Sequence, residues 1–319
     1  MPSTTNSIFA EPDDFQAASY REGSLSRFVT VHGQFRARLT QIALDDLHLS
    51  AVEEQLPSIG FLEVPAAKLL VSFPMGDQPA PVWGGISLRK GEFMIFGPGY
   101  RGHMRTQGHC RWGAIWFHAQ ELAQYFRVLT EHTLTIPLVA QRWHFPPAPR
   151  RCLLQLHAAA IRIAKARPET FLSVGAAHGL EQEVIEALVE CLSAGRAVEE
   201  TPATRRYQEI MLRFEDLLGA QPSRHMRVDE LSAATGVSVR VLRMCSKKVL
   251  GMSPTSYVQL HALYRVRHVL RAQNPDATSV AQAARSQGFR ALGRFAATYR
   301  SLFGELPSSR LRGLASVGS

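Results

Sequence analysis

The sequence predicts an α+β protein in two parts: a β-rich N-terminal domain with a helical hairpin, and an all-α C-terminal domain in which a helix–turn–helix layout occurs twice. Three observations lead there. Period-two alternation and short apolar runs broken by Gly and Pro fill residues 25–140. Helical spacing takes over from about residue 150. The charge is also unevenly divided. From Thr204 onward there are 18 Lys and Arg against 7 Asp and Glu, whereas residues 1–203 hold 18 against 20, so the net +9 resides in the last third. Such asymmetry points to a polyanion as the partner of that part.

A chain of 319 residues, 45% hydrophobic, is long enough for two or three domains. No stretch approaches the roughly 20 apolar residues that span a bilayer. Met1 to Ala10 is polar, without the basic-then-apolar layout of a secretory leader. A cytoplasmic location with no membrane partner is the expectation. Cys110, Cys152, Cys191 and Cys245 show no paired spacing, so they read as buried free thiols rather than zinc ligands or a disulfide framework.

Residues 1–24, rich in Ser, Thr, Pro and acidic side chains, read as a loose lead-in. Beyond them Phe35, Ala37 and Leu39 alternate with Gln34, Arg36, Arg38 and Thr40, the pattern of a half-buried strand. Further apolar runs, Leu69 to Val71, Phe93 to Phe96 and Trp112 to Phe117, are separated by turns such as Gly84-Gly85 and Gly97-Pro98-Gly99. Short strands at this spacing suggest a small barrel or sandwich. Its aromatic residues Trp83, Phe93, Phe96, Trp112, Trp116 and Phe117 are candidates for a ligand pocket, with ordinary core as the plainer reading of each.

The helical part covers residues 150–194. Leu153, Leu156, Ala160, Ile163 and Ala164 fall at helical spacing, as do Leu180, Val184, Leu188 and Leu192. The second set recurs every four residues, a stripe that packs on its own domain or forms a homodimer seam. Gly195 to Thr204 reads as a linker, dividing the chain into domains 1–203 and 204–319.

In the C-terminal part Tyr207, Ile210, Met211, Phe214, Leu217 and Leu218 mark one helix face. A helix from about Val228 to Ala234 follows, with Asp229 and Glu230 in its first turn, where the helix dipole favours anions. Gly236 suits a tight turn and Ser238 an N-cap. The next helix, Val239 to Leu250, stops at Gly251. A long helix runs from Pro254 to about Ala272, some 19 residues and about 28 Å. The layout then repeats: Ser279 caps a helix to about Ser286, Gly288 turns, and a helix from about Ala291 ends at Phe303-Gly304 before Pro307. A second helix placed this way enters the major groove of DNA in helix–turn–helix proteins.

This stretch resembles the C-terminal domain of AraC/XylS-type transcription regulators. The residues that carry the likeness are Gly251 to Tyr257, then Leu263, Arg267 and Leu270, then Gln287-Gly288-Phe289 and Gly293 to Ala296, then Tyr299-Arg300, Phe303-Gly304, Pro307 and Arg310. The combination GRFA–TYR–LFGE–PS looks closest to the branch of the ethanolamine-utilisation activator, to which Gly33 to Phe35 through Leu44 to Asp46 are also similar. The resemblance implies double-stranded DNA, RNA polymerase and a small-molecule effector as partners, a homodimer, no cofactor, and an activating role. It places base reading on Arg240 and Arg243, with Met244 at a site that is often Arg. An arginine donating two bonds to a guanine edge is worth roughly 1–3 kcal/mol of discrimination. Lys247 and Lys248, one turn on, would meet phosphates. In the second unit the positions are Arg290, Ala291, Leu292, Gly293 and Arg294, a set suited to phosphate anchoring and thymine-methyl contact. Ser246 departs from the family pattern, which favours a large apolar residue there.

The alternative function is a metal-dependent cupin-type enzyme with a DNA-binding tail. The N-terminal domain is expected to be cupin-like, and a cupin that is a metalloenzyme would carry a His-x-His pair followed by a Glu. The chain offers His103, His109 and His118 without that spacing. Cys110, flanked by His109 and Arg111, is a weak candidate nucleophile, since neighbours on a strand point to opposite faces. No G-x-S-x-G, Walker or dinucleotide-binding motif occurs. The expectation is therefore a regulator, not an enzyme.

Overall fold

The computed structural model describes residues 2–19, 24–76, 79–221, 226–272 and 279–309. Arg310 of the C-terminal motif lies outside the described residues. The N-terminal half runs β1 (Ser3–Phe9), α1 (Pro12–Ser19), β2 (Ser24–Val29), β3 (Ala37–Ala43), β4 (Leu47–Glu54), β5 (Ser58–Glu63), β6 (Lys68–Pro74), β7 (Val82–Trp83) and β8 (Ile86–Ser87). It continues through β9 (Glu92–Phe96), β10 (Arg101–Arg105), β11 (Cys110–His118), α2 (Ala119–Thr130), β12 (Gln141–His144), α3 (Pro147–Ala166), α4 (Val174–Ala194) and β13 (Arg196–Val198).

These strands form two antiparallel sheets, one in the order β1-β3-β4-β11-β6-β9-β12-β13 and one in the order β2-β5-β10-β7-β8. Period-two alternation sorts their side chains into two cores. Along β11, Trp112 and Ala114 face the other sheet, while Ile115 and Phe117 face the helices. Along β9, Met94 and Phe96 face inward and Phe93 and Ile95 outward. The first core lies between the sheets; the second lies between the large sheet and α2, α3 and α4. Gly113 makes the second possible at its tightest point, since a Cβ there would sit 2.4 Å from the Phe73 ring and 2.9 Å from His157.

The C-terminal half is helical: α5 (Pro202–Ala220), α6 (Val228–Thr235), α7 (Val239–Leu250), α8 (Pro254–Ala272), α9 (Val280–Ser286) and α10 (Leu292–Phe303). Ile210, Met211 and Phe214 of α5, Leu231 of α6, Leu242 and Val249 of α7 and Tyr257 of α8 share one core. Leu263, Val266 and Leu270, further along α8, pack with α9 and α10 in another. Thus α8 joins two small bundles end to end. No helix among the described residues is long and apolar enough to cross a membrane.

Two expectations change, and one open alternative is decided. The described residues 2–19 of the supposed lead-in are ordered: β1 pairs with β3 over seven residues, and Phe15 of α1 is buried against Phe9 and Phe35. Its ladder bonds come from the backbone, so Ser, Thr and Asn suffice and no apolar alternation announces them. Most of the supposed linker is also structured, because β13 pairs with β12 and α5 already starts at Pro202. Of the two readings of the stripe on α4, the structure shows packing on its own domain: Val184, Leu188 and Leu192 are buried there, and Leu180 packs against the same core. That stripe has its partner already, in α3 and the large sheet.

Candidate nucleic-acid interface and inter-sheet cavity

The first helix–turn–helix unit is set by local chemistry. The Arg227 N–H donates to the Glu230 carboxylate at the start of α6. Gly236, at φ 70°, turns the chain as only glycine does without strain. The Ser238 hydroxyl accepts the Val241 N–H at 3.4 Å to open α7. Leu242, Cys245 and Val249 bury one face of α7. The opposite face presents Arg240, Arg243, Met244 and Lys247 at i, i+3, i+4 and i+7, all exposed. The Tyr207 hydroxyl reaches the Met244 sulfur at 3.8 Å, and Lys247 Nζ donates to the Gly251 carbonyl at 3.0 Å. Lys248 lies round the helix from this row, and its stem passes the β7–β8 turn, 3.3 Å from where a Cβ on Gly85 would sit. Ser246 is fully buried and its hydroxyl donates to the Met252 carbonyl at 2.7 Å, so a backbone bond stands where the family packs a large side chain.

The second unit repeats the design. Ser279 and Gln282 cap α9 reciprocally, each side chain accepting the other's backbone N–H, at 3.1 and 2.9 Å. Gly288 turns at φ 85°. Arg290, Ala291, Gly293 and Arg294 are exposed at the start of α10, whereas Leu292 packs into the bundle core. Sequence reasoning had not singled out Arg205, Arg206 and Arg213 of α5. They line a groove of about 520 Å³ with Gly236 and Val237 of the first turn, widening the basic surface beside α7. Only their contribution to the charge count hinted at it.

A cavity of about 80 Å³ lies between the sheets. Trp83, Trp112 and Trp116 line it, together with Arg27, Ser72 and Phe15. Phe93 and Phe96 do not. Phe93 and Phe117 point to the helix side, and Phe96 sits behind Trp83 with ring centroids 4.7 Å apart. Arg27 is buried and donates to the equally buried Glu54, and its guanidinium lies over the rings of Phe15 and Trp112. Helix α1 closes one side of the cavity and faces α8, where its Asp13 binds Arg271 and the preceding Glu11 binds Arg267 at 3.3 Å.

The outer face of the smaller sheet docks on α5, α7 and α8. Its centre is Glu215 of α5, bonded to His103 Nε2 of β10 at 3.0 Å and to the Tyr257 hydroxyl at 3.1 Å, with His261 at 3.9 Å. Burial alone would raise the Glu215 pKa; His103, His261 and Tyr257 outweigh it and hold the carboxyl below its usual range. Burial pushes His261 down to about 4. Around this centre Arg101 pairs with Asp216 at 2.7 Å, and Tyr264 exchanges two hydrogen bonds with the Val29 backbone. His109 binds Glu53 instead, and among the described residues no three His, Cys, Asp or Glu side chains gather as a metal site. Cys110 is buried, and burial pushes its thiol up, away from nucleophilic use.

Residues 231–313 match a family model described as a helix-turn-helix domain. A stretch of 89 residues is 36% identical to the XylDLEGF operon transcriptional activator of Pseudomonas putida, covering 28% of each chain. A stretch of 144 residues is 30% identical to a "Probable thc operon regulatory protein" of Rhodococcus erythropolis, covering 43% of each. The chain also aligns with the solved AraC-like transcriptional activator CuxR at 14% identity, over 88% of this chain and 99% of that one, with a TM-score of 0.41. Residues 231–313 therefore form a helix-turn-helix domain, and the chain is similar over part of its length to transcriptional activators. The matched stretch spans 28% of the length of that Pseudomonas relative.

Proposed function

We propose that the whole chain is a sequence-specific transcription regulator, an activator that reads double-stranded DNA through α7 and α10 and engages RNA polymerase. The observation that carries this reading is the row Arg240, Arg243, Met244 and Lys247, left exposed on one face of a capped helix inside a helix–turn–helix segment. Arg290 and Arg294 supply the second contact, one helix–turn–helix unit further along. The string from Gly293 to Pro307 supports a place near the branch of the ethanolamine-utilisation activator.

In this reading the two-sheet domain is a cupin-like effector domain. The effector occupies the inter-sheet cavity and acts through α1, whose Phe15 lines the cavity while Asp13 and Glu11 hold α8. The protein works as a homodimer. Since the α4 stripe is committed to its own core, the pairing surface is the open edge of β1, beside the exposed Ile8, Leu172 and Val174. An uncharged edge strand without Pro or Lys is unprotected against pairing. Capture of genomic fragments by the full chain tests the reading. Specific fragments should be recovered, with affinity falling by about 0.9 in log–log slope for each phosphate neutralised. Capture that is indifferent to sequence would refute it.

A further inference from the structure

We infer that the inter-sheet cavity takes an uncharged, planar molecule of about one ring that carries a hydrogen-bond acceptor. The inference rests on the effector reading above and gives that effector a chemical class. Two side chains that line the cavity carry a buried polar group without a protein partner: Trp83, through its indole N–H, and Ser72, through its hydroxyl. They come from different sheets, Trp83 from β7 and Ser72 from β6. More than nine in ten buried polar groups in native proteins are bonded, so two orphans on one cavity mark a place for something that bonds them. Trp83 only donates and Ser72 donates readily; the complement is an acceptor such as a carbonyl oxygen.

The other polar groups on the wall narrow the class. Arg27 is the permanently charged side chain there, and Glu54 already neutralises it inside the domain; His48 is the other titratable side chain on the wall. With His48 neutral, a buried anion would face Glu54 without a cation of its own, and a buried cation would face Arg27; either charge then lacks the compensation that burial demands. Gln41 already accepts the Thr5 hydroxyl at 3.3 Å. The aromatic surface that Trp83, Trp112 and Trp116 give the wall favours a planar guest. The volume, about 80 Å³, is below the roughly 150 Å³ of an apolar cavity that holds benzene. One ring is therefore the upper limit, and it enters by moving the wall that Phe15 of α1 provides.

Titration calorimetry on the full chain tests this with three probes of similar size: 2-pyridone, benzene and benzoate. The neutral acceptor should bind, and more tightly than benzene by about tenfold, the worth of one to two hydrogen bonds. Trp83→Phe, which keeps a ring and removes the N–H, should abolish that preference while leaving benzene bound at least as well. Ser72→Ala should reduce it. Circular dichroism checks that both variants fold. Tighter binding of benzoate than of 2-pyridone would overturn the class and leave the effector reading standing. Binding of none of the probes up to their solubility, by a chain that still captures its DNA, would mean that the cavity holds water only and would overturn the inference without touching the regulator reading.

Discussion

His157 is a buried group of the N-terminal half on which an acid perturbation acts directly. Its ring is 1% exposed, edge-on to Phe73 at 4.9 Å, with Nε2 donating to the Ser50 carbonyl at 3.0 Å. Burial pulls its pKa down to about 4, against 6.5 for a free imidazole. The folded domain thus binds the proton less readily than the unfolded chain. Its contribution to stability is complete above pH 6.5 and is lost as the pH falls toward 4. The gap between the two values corresponds to roughly 3 kcal/mol, a large part of a domain's stability. The four tryptophans, Trp83, Trp112, Trp116 and Trp143, all lie in the N-terminal half, so their fluorescence in urea follows that domain's unfolding. The wild-type midpoint should fall steeply between pH 6.5 and 4. His157→Gln, which keeps an N–H for Ser50 and cannot titrate, should be flatter over that window. Parallel pH profiles for the two proteins would refute the reasoning.

Other outcomes follow from placement. Arg240→Ala and Arg243→Ala should relax the base preference found by binding-site selection, whereas Lys247→Ala should weaken all sequences alike; an unchanged preference in both arginine variants would move base reading off this face of α7. Leu188→Lys should unfold the N-terminal domain rather than yield a folded monomer, because an ammonium in the α3–α4 core costs several kcal/mol; a folded, soluble monomer seen by sedimentation and fluorescence would refute that. Ile8→Lys, at the exposed edge of β1, should leave the fold intact and split the homodimer, and an unaltered dimer by sedimentation would place pairing elsewhere.

The C-terminal half was legible because its signals are local. Ser238, Gly236, Gly251, Ser279 and Gly304 each act on atoms within a few residues, and α7 and α10 begin and end within a residue of the expected positions. The N-terminal half obeys non-local rules. Phe93 and Phe96 were grouped as pocket residues although they are three apart on one strand, and period two sends them to opposite faces. Trp112 and Trp116, four apart, share a face and reach the cavity together. The same rule, applied strictly, separates these pairs from sequence alone. What it does not supply is Trp83 on β7 or Ser72 on β6, since the register that brings the two sheets together is set by pairings far apart in the chain.

Charge shows the limit of counting most clearly. The 18 basic against 7 acidic residues from Thr204 onward point to a polyanion as the partner of that part. The fold divides that charge. Arg267 and Arg271 turn toward Glu11 and Asp13 of the N-terminal domain, and Asp216 turns toward Arg101. Glu215 is buried between His103 and Tyr257. Some cations of the basic third thus hold the two domains together, while Arg240, Arg243, Lys247, Arg290 and Arg294 remain exposed. A phosphate competes only for the exposed set. In the proposed reading salt acts on two equilibria of the same chain: it weakens the DNA contacts and screens the partly exposed pairs Arg271–Asp13, Arg267–Glu11 and Arg101–Asp216.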